Sequence, residues 1–428
     1  MGRADEMILK LDTEKAREQL KYLYGDSREL LKAQQERYAA LIRRHAELFG
    51  DHDNIQLISA PGRTEIGGNH TDHNHGRVLA ASVNLDALCA ASPRKDYSVR
   101  FDSEGYAPVN IDLTDLAPHP DEEGTTAALI RGVAAGMAKA GYRIGGFDAA
   151  VTSTVAGGSG LSSSAALEVM LTGVLDSLYN DFDMPYVLRA QISKQAENEY
   201  FGKPSGLLDQ MASAAGGLVT VDFRDTDHPE VKALSYDFAK KGYVLAVVAT
   251  GGSHANLTDQ YAAIPAEMKS VAECFGQPVL RGLTAEQLTE RMDMLRAKVS
   301  DRAILRAFHF IREDERVPEQ VAALKEDRIQ DFLKLINESG RSSWMYLQNV
   351  YADNGDQSLS LALCLAGEML RDSGAWRIHG GGFAGTTLNF VPAEKVGAFV
   401  STMERAFGKG ACKVLNIRPV GVARLELN

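Results

Sequence analysis

A run of small residues between a predicted strand and a predicted helix carries the strongest chemical signal in this chain. Residues 157–164 read Gly-Gly-Ser-Gly-Leu-Ser-Ser-Ser, after the apolar alternating stretch 147–155 and before the helical pattern 165–175. A strand, a glycine-rich loop and a helix start direct backbone N–H groups and the positive end of the helix dipole at one point. The alternative is a flexible loop with a serine helix cap. Because the flanking patterns match on both sides, we predict a site for nucleotide phosphates.

The composition of this predicted phosphate loop narrows its chemistry. It is not a Walker loop, because that motif needs a lysine and none follows Gly160. We therefore expect a metal ion, the helix dipole and side chains from other segments to neutralise the charge of a transferred phosphoryl group. The residues predicted to bind the nucleotide are Gly157, Gly158, Ser159, Gly160, Leu161, Ser162, Ser163 and Ser164, together with Ser103, which is assigned from its position alone.

A second segment, residues 61–76, is dense in polar side chains set among glycines. Asn69, His70 and Asp72 carry groups that donate and accept hydrogen bonds, which suits a polyhydroxylated ligand such as a sugar. The alternative is an ordinary polar surface loop. The histidines at positions 70, 73 and 75 do not have a standard zinc spacing and no cysteine lies nearby, so we do not predict a metal site here.

The elements that position these segments form a helical extension followed by two predicted lobes. Residues 1–50 are rich in Lys, Glu, Arg and Leu at helical spacing, which predicts an amphipathic helix docked on the main body. Residues 51–230 mix strands with helices and contain the phosphate loop. Residues 231–428 open with the strand pattern at 243–248, continue mainly as helices and end with strands. This order predicts two α+β lobes.

The composition limits the class of protein. The chain has 428 residues, of which 45% are hydrophobic, enough for two lobes with sizeable cores. Its formal net charge of −11 argues against a partner that is nucleic acid or a membrane surface. The four cysteines form no metal-binding pair, the N-terminus lacks a signal-peptide pattern, and no apolar run reaches the about 18 residues of a membrane span. We expect a cytoplasmic enzyme that is a monomer or a weak homo-oligomer.

The polar segment resembles the galactokinase signature of the GHMP kinases, Gly-Arg-x-Asn-x-Ile-Gly-Glu-His-x-Asp-Tyr-x-x-Gly, and aligns with it without a gap. The matching residues include Arg63, Gly68, His70, Asp72 and Gly76. The departures include Glu65 in place of the family's asparagine, Asn69 in place of its glutamate and His73 in place of its tyrosine.

Other segments carry the same resemblance, in the order that the family has them. The phosphate loop resembles the central GHMP motif Pro-x-x-x-Gly-Leu-Ser-Ser-Ser-Ala, and residues 380–385 resemble the third motif, Gly-Gly-Gly-Phe-Gly-Gly. Residues 197–211 resemble the galactokinase stretch that ends in Asp-Gln, and residues 254–261 resemble its His-Ser-Leu-x-x-x-x-Tyr. From about residue 55 to its end, the chain is identified as a divergent member of the galactokinase family.

This resemblance implies the α+β GHMP-kinase fold, with a mixed α/β N-terminal lobe, a ferredoxin-like C-terminal lobe and an active site in the cleft between them. It implies a kinase that uses ATP and Mg²⁺ to phosphorylate the anomeric hydroxyl of galactose. Asp209 is implied as the base with Arg63 beside it, and Ser164 and Glu197 as metal ligands. The residues implied to bind the sugar are Asn69, His70, Thr71, Asp72 and Tyr261.

Several alternatives stay open. Asp209 follows a Pro-Ser-Gly turn and could cap a helix, and Tyr261 could be a core residue. Because Asn69 is shorter than glutamate and uncharged, a uronic acid or an N-acetylhexosamine is a credible substrate. Other candidates are a non-catalytic galactose sensor and a kinase for mevalonate-type substrates. The intact serines at 162–164 favour an enzyme over a sensor, and the polar cluster at 70–72 favours a sugar.

Overall fold

The computed structural model describes residues 2–155, 160–203, 205–251, 257–352, 355–383 and 385–427. The strands in these ranges are β1 (Gln56–Gly67), β2 (Arg77–Pro93), β3 (Ser98–Ser103), β4 (Val109–Asp112), β5 (Phe147–Ser153), β6 (Leu218–Asp222), β7 (Glu230–Leu234), β8 (Tyr243–Ala249), β9 (Ala375–His379), β10 (Thr386–Pro392), β11 (Cys412–Leu415) and β12 (Ala423–Leu425).

The helices connect these strands and cover the sheets. They are α1 (Arg3–Lys10), α2 (Glu14–Tyr24), α3 (Arg28–Phe49), α4 (Thr126–Lys139), α5 (Ser163–Tyr179), α6 (Tyr186–Gln195), α7 (Leu208–Ala215), α8 (Thr258–Cys274), α9 (Ala285–Glu290), α10 (Met292–Lys298), α11 (Asp301–Lys325), α12 (Ile329–Ser342), α13 (Ser358–Leu370) and α14 (Val396–Phe407). Two single turns are π-helical, Ala196–Tyr200 and Ser343–Leu347. None of the described helices is long and apolar enough to cross a bilayer.

The first sheet has eight strands, ordered β12-β1-β2-β5-β3-β4, and β6 and β7 extend from β2. β2 is long enough to pair with β5 through its second half and with β6 through its first half. Most of its residues are buried, as expected for a strand covered on both faces. β3 and β5 are parallel, so Ser103 lies at the edge of the sheet where β5 ends.

The second sheet has four antiparallel strands, ordered β11-β8-β10-β9. The predicted boundary between residues 230 and 231 falls inside β7, which belongs to the first sheet. The last strand, β12, also returns to the first sheet, where it pairs with β1 through Leu57 and Leu425. The chain therefore crosses twice between the two sheets.

Residues 1–50 form three helices where the sequence predicts one. Thr13 and Ser27 each accept a hydrogen bond from a backbone N–H three residues later, so each starts a new helix. Gly25 follows α2 with a φ of 107°, a conformation that ends the helix and suits glycine. The buried Tyr38 and Ile42 of α3 then pack with residues of the first sheet.

A buried aspartate anchors these helices to the sheet. Asp86 of β2 accepts hydrogen bonds from Tyr24 Oη at 2.5 Å and from Arg37 Nη1 at 2.5 Å. Its backbone is also bonded to Thr154, just ahead of the phosphate loop. Burial opposes ionisation of Asp86, but Arg37 and Arg418 hold its pKa below the ordinary value. The helical extension thus supports the strand that leads into the phosphate loop.

Candidate active site

A carboxylate and a guanidinium from distant parts of the chain meet at the edge of the first sheet. Arg63 of β1 donates from Nε to Asp209 Oδ1 at 2.6 Å and from Nη2 to Oδ2 at 2.9 Å. The helix cap of α7 is Leu207, with no side-chain capping bond, so the alternative that Asp209 caps this helix is not supported. The Asp209 side chain is 35% exposed, so its carboxylate is open to a ligand.

The same guanidinium connects Asp209 to the phosphate loop. Arg63 Nη1 donates to the backbone oxygen of Gly160 at 2.6 Å. Burial alone would raise the pKa of Asp209, but the charge and hydrogen bonds of Arg63 and the Ser162 hydroxyl lower it below the ordinary value. Asp209 is therefore ionised at neutral pH and ready to accept a proton.

The start of α5 is shaped by an unusual backbone conformation. Ser162 has a φ of 57°, in the left-handed region that residues other than glycine rarely adopt. Its hydroxyl donates to Asp209 and does not cap the helix. Strained residues of this kind are concentrated at functional sites. Gly157, Gly158 and Ser159 lie outside the described residues.

A second polar cluster lies beside the start of α5. Ser164 Oγ donates to Glu197 Oε1 at 3.1 Å, and Lys203 Nζ contacts the same oxygen at 2.7 Å. Gln210 Nε2 donates to Glu197 Oε2 at 2.8 Å and to Glu168 Oε2 at 3.0 Å, which fixes the orientation of Glu197. Burial and the charge of Glu197 raise the pKa of Glu168 to about 8. Glu168 is thus the protonated, neutral carboxyl of this cluster at neutral pH.

The cluster fits the predicted magnesium site by the chemistry of its donors. A carboxylate and a hydroxyl are the hard oxygen ligands that Mg²⁺ prefers, and a cation already lies on Glu197 Oε1. Within the described ranges, no three His, Cys, Asp or Glu side chains are grouped as a metal site, so the remaining ligands would come from the nucleotide and water. The sequence analysis did not assign Lys203 to the site. Its position between Glu197 and Asp209, as a basic residue among acidic ones, could have indicated such a contact.

The structure places Asn69 differently from the prediction. Its side chain is fully buried, and Nδ2 donates to Glu65 Oε1 at 3.0 Å and to the Gly380 oxygen at 2.8 Å. Its Oδ1 accepts hydrogen bonds from Ser343 Oγ at 3.3 Å and from Asn349 Nδ2 at 3.0 Å. Every polar atom of the side chain is therefore occupied by protein, which does not support a direct contact of Asn69 with a sugar.

Thr71 is likewise not placed to bind a ligand. It is fully buried, and its hydroxyl is bonded to the backbone oxygens of Gly68 and Arg77. The Thr71 oxygen in turn accepts hydrogen bonds from the backbone N–H groups of Asn74 and Gly76. These bonds close the turn between β1 and β2, so the role of Thr71 in this structure is to shape that turn.

His70, Asp72 and Tyr261 lie where the two lobes meet. His70 Nε2 is 2.9 Å from the Gly381 oxygen, and Tyr261 Oη donates to the Gly382 oxygen at 2.7 Å. Burial lowers the pKa of His70 to about 4, so the ring is neutral at pH 7. A side chain on Gly381 would come within 2.6 Å of the Tyr261 ring, which explains why glycine is needed in this part of the third motif.

Asp72 faces the loop that leads to Asp209. Its Oδ2 lies 2.8 Å from the point where a side chain on Gly206 would begin, and its side chain is 23% exposed. Ser103 ends β3 beside Val151, near the end of β5, and is partly exposed. The structure therefore brings together Arg63, Asp209, Ser162, Ser164 and Glu197, and it places Asp72 next to that group.

Helix α11 supplies two buried residues that sequence analysis did not assign to the site. Glu313 Oε1 accepts the backbone N–H groups of Gly68 and Asn69 at 3.1 and 3.3 Å. His309 Nε2 lies 2.9 Å from the Asn69 oxygen. Both side chains are fully buried, and the spacing of 309, 313 and the basic Arg316 along one helix was a signal for such a cluster. They hold the turn that carries His70 and Asp72.

Two family models match this chain. They are the galactokinase galactose-binding signature, over residues 43–93, and the GHMP kinases N terminal domain, over residues 128–217. A galactokinase of Streptomyces coelicolor is 33% identical over 377 residues, which are 86% of this chain and 93% of that protein. A galactokinase of Enterococcus faecalis is 29% identical, again over 86% of this chain and 93% of that protein.

Solved structures share the fold of this chain. A Lactococcus lactis galactokinase complexed with galactose has a TM-score of 0.76 at 24% identity and covers 89% of this chain and 98% of that chain. A mevalonate kinase has a TM-score of 0.61 at 13% identity and covers 84% of this chain and 98% of that chain. These similarities confirm the predicted GHMP-kinase fold. Since a third of its residues are identical to the Streptomyces protein over most of its length, the chain belongs to the galactokinase family of the GHMP kinases.

Proposed function

We propose that this protein is a kinase that transfers the γ-phosphoryl group of ATP to the anomeric hydroxyl of galactose. The observation that carries the proposal is the bridge from Asp209 through Arg63 to Gly160 of the phosphate loop. In this bridge a partly exposed, ionised carboxylate lies near Gly160, in the loop that we propose binds the nucleotide phosphates. The family supports the same reading, because the similar proteins of S. coelicolor and E. faecalis are galactokinases.

The chemistry assigned to these residues is an in-line phosphoryl transfer. The sugar oxygen forms a bond to the γ-phosphorus while the bond from that phosphorus to the bridging oxygen of ADP breaks, and Asp209 accepts the hydroxyl proton. Arg63 keeps Asp209 ionised and holds it in line with the loop. His70, Asp72 and Tyr261 are assigned to the sugar, and the loop from Gly157 to Ser164, with Ser103 on the adenosine side, to the nucleotide.

Ser164 and Glu197 are the residues proposed to hold Mg²⁺. When bound there, the ion would supply positive charge that offsets the negative charge of the transferred phosphoryl group. Lys203 Nζ lies 2.7 Å from Glu197 Oε1 and partly neutralises that carboxylate. We also propose, from the sequence, that the protein is cytoplasmic and is a monomer or a weak homo-oligomer.

A panel of acceptors tests the proposed function. We expect ATP consumption with galactose to exceed that with hexosamines, N-acetylhexosamines and uronic acids, measured by coupled detection of ADP. The product is to be identified as a sugar 1-phosphate by phosphorus NMR. If galactose binds in calorimetry but no acceptor in the panel supports ADP formation, the protein is a sensor and the proposed function is wrong.

The metal assignment is tested with Ser164→Ala and Glu197→Gln. We expect both variants to need a higher Mg²⁺ concentration for half-maximal rate, because each loses a hard oxygen ligand, while galactose affinity changes little. The measurement is the initial rate against Mg²⁺ concentration at saturating ATP. Ser177→Ala is the matched control, since Ser177 is a serine near the other end of the same helix, α5. An unchanged Mg²⁺ requirement in both test variants would contradict the assignment.

A further inference from the structure

Two polar residues of the sugar signature have exchanged places in this chain. The signature has asparagine where Glu65 stands and glutamate where Asn69 stands, and the matching family model covers both positions. In the structure the two side chains are direct neighbours, with Asn69 Nδ2 3.0 Å from Glu65 Oε1. An exchange between hydrogen-bonded neighbours keeps one carboxylate and one amide in the same small volume.

The amide of this pair is turned into the protein. The four hydrogen bonds of the Asn69 side chain and its complete burial leave it no donor or acceptor for a ligand. A glutamate at position 69 would lose the donor to the Gly380 oxygen and would place a second carboxylate against Glu65. The site of Asn69 therefore requires an amide, and the residue has a structural role.

Within the part of the chain that the structure describes, only one oxygen of the Glu65 carboxylate accepts hydrogen bonds from the protein. Glu65 Oε1 accepts both Asn69 Nδ2 and Arg377 Nη2, the latter at 2.6 Å. No hydrogen-bond partner to Glu65 Oε2 is found among the described residues, although the side chain is only 9% exposed. Oε2 is not a fully buried atom without a hydrogen-bond partner, so it borders space that solvent or a ligand can reach. A charged oxygen in that situation is an open acceptor.

The orientation of β1 places this oxygen on the catalytic side. Arg63 and Glu65 pair in unbroken register with Ser82 and Ala80 of β2, so their side chains emerge from the same face. Arg63 on that face binds Asp209. Burial raises the pKa of Glu65, and Arg377 and Arg63 act against this shift, which shows that both guanidinium groups lie near the carboxylate.

We propose that Glu65 is the specificity-determining carboxylate of the acceptor site, accepting hydroxyl groups of a neutral hexose and disfavouring uronic acids. The inference rests on the proposed function. A charged acceptor forms stronger hydrogen bonds to hydroxyls than an amide does, whereas the carboxylate of a uronic acid would meet a like charge. The negative charge that the signature has at position 69 is thus present at position 65 in this chain. We therefore expect the acceptor site to disfavour uronic acids, the opposite of what Asn69 alone suggests.

Glu65→Gln tests the proposal with little change in shape. We expect galactose affinity, measured by calorimetry without nucleotide, to fall about 10- to 100-fold. We also expect the ratio of galacturonate to galactose affinity to rise, because the repelling charge is gone. A purely structural role of Glu65 would weaken both sugars alike, so an unchanged ratio overturns the proposal, as does unchanged galactose affinity.

The double exchange Glu65→Asn with Asn69→Glu provides the second test. Each single variant should bind galactose at least about tenfold more weakly, since Glu65→Asn leaves the buried Arg377 without its carboxylate and Asn69→Glu crowds two carboxylates. The double variant should recover most of the affinity, with thermal unfolding as the check on folding. If the double variant loses as much galactose affinity as the two single fold-losses multiplied together, the proposal is contradicted. Failure of the wild type to bind galactose refutes the proposed function instead.

Discussion

Asp209→Asn is expected to reduce kcat for galactose phosphorylation by about 10²- to 10⁴-fold, the usual loss when a positioned base is removed. Asparagine keeps the shape of the side chain and an oxygen for the Arg63 bond of 2.6 Å, but it does not accept the hydroxyl proton. The measurement is the steady-state rate at saturating ATP and galactose. Galactose affinity and the thermal unfolding temperature serve as controls and should change little.

Near-normal turnover in Asp209→Asn would remove Asp209 as the base and leave it a structural role. The pH dependence gives an independent check. Since the pKa of Asp209 is below its ordinary value, the loss of activity caused by its protonation should occur at a pH below the usual range of an aspartate. Arg63→Ala should move that loss towards higher pH, because the charge that stabilises the ionised form is then absent.

Glu313→Ala is expected to lower the free energy of unfolding by about 3–5 kcal/mol. The loss arises because the buried groups that pair with the Glu313 carboxylate are left without an acceptor. Arg316 and Ser339 lose their acceptor, and so do the backbone N–H groups of Gly68 and Asn69. The measurement is urea unfolding followed by circular dichroism. Glu315→Ala is a matched control, since Glu315 forms an ion pair of the same helical spacing with Arg312 at an exposed position. Its removal should cost less than about 1 kcal/mol.

The contribution of Glu313 should also depend on pH in one direction. Although burial alone would raise the pKa of Glu313, the charge of Arg316 lowers it to about 2, below the unfolded value of 4.5. Its stabilising effect is therefore complete above about pH 4.5 and is lost as the pH falls towards 2. The difference in stability between wild type and Glu313→Ala should shrink over that range. A difference that stays constant with pH would show that the ion pair does not provide the stability.

The sequence by itself determined the family, the order of the motifs and the main chemical groups. The glycine and serine run, the signature around Arg63 and the stretch ending at Asp209 are local patterns, and local patterns survive in the sequence because each needs particular residue types at fixed spacing. The GHMP-kinase fold followed from these motifs and is confirmed by the solved structures. The site roles of these residues stay predictions that the variants above test.

The tertiary structure decided which polar groups are left free. Asn69 and Glu65 are both polar residues of the same sequence signature. The side chain of Asn69 is fully hydrogen-bonded, to Gly380, Ser343 and Asn349 among others, whereas Glu65 keeps one oxygen without a partner among the described residues. Those partners come from segments about 270–310 residues away along the chain. Whether a polar side chain binds a ligand depends on how many of its hydrogen bonds the protein already satisfies. That number is set by contacts between distant elements, which residue type and local spacing do not encode.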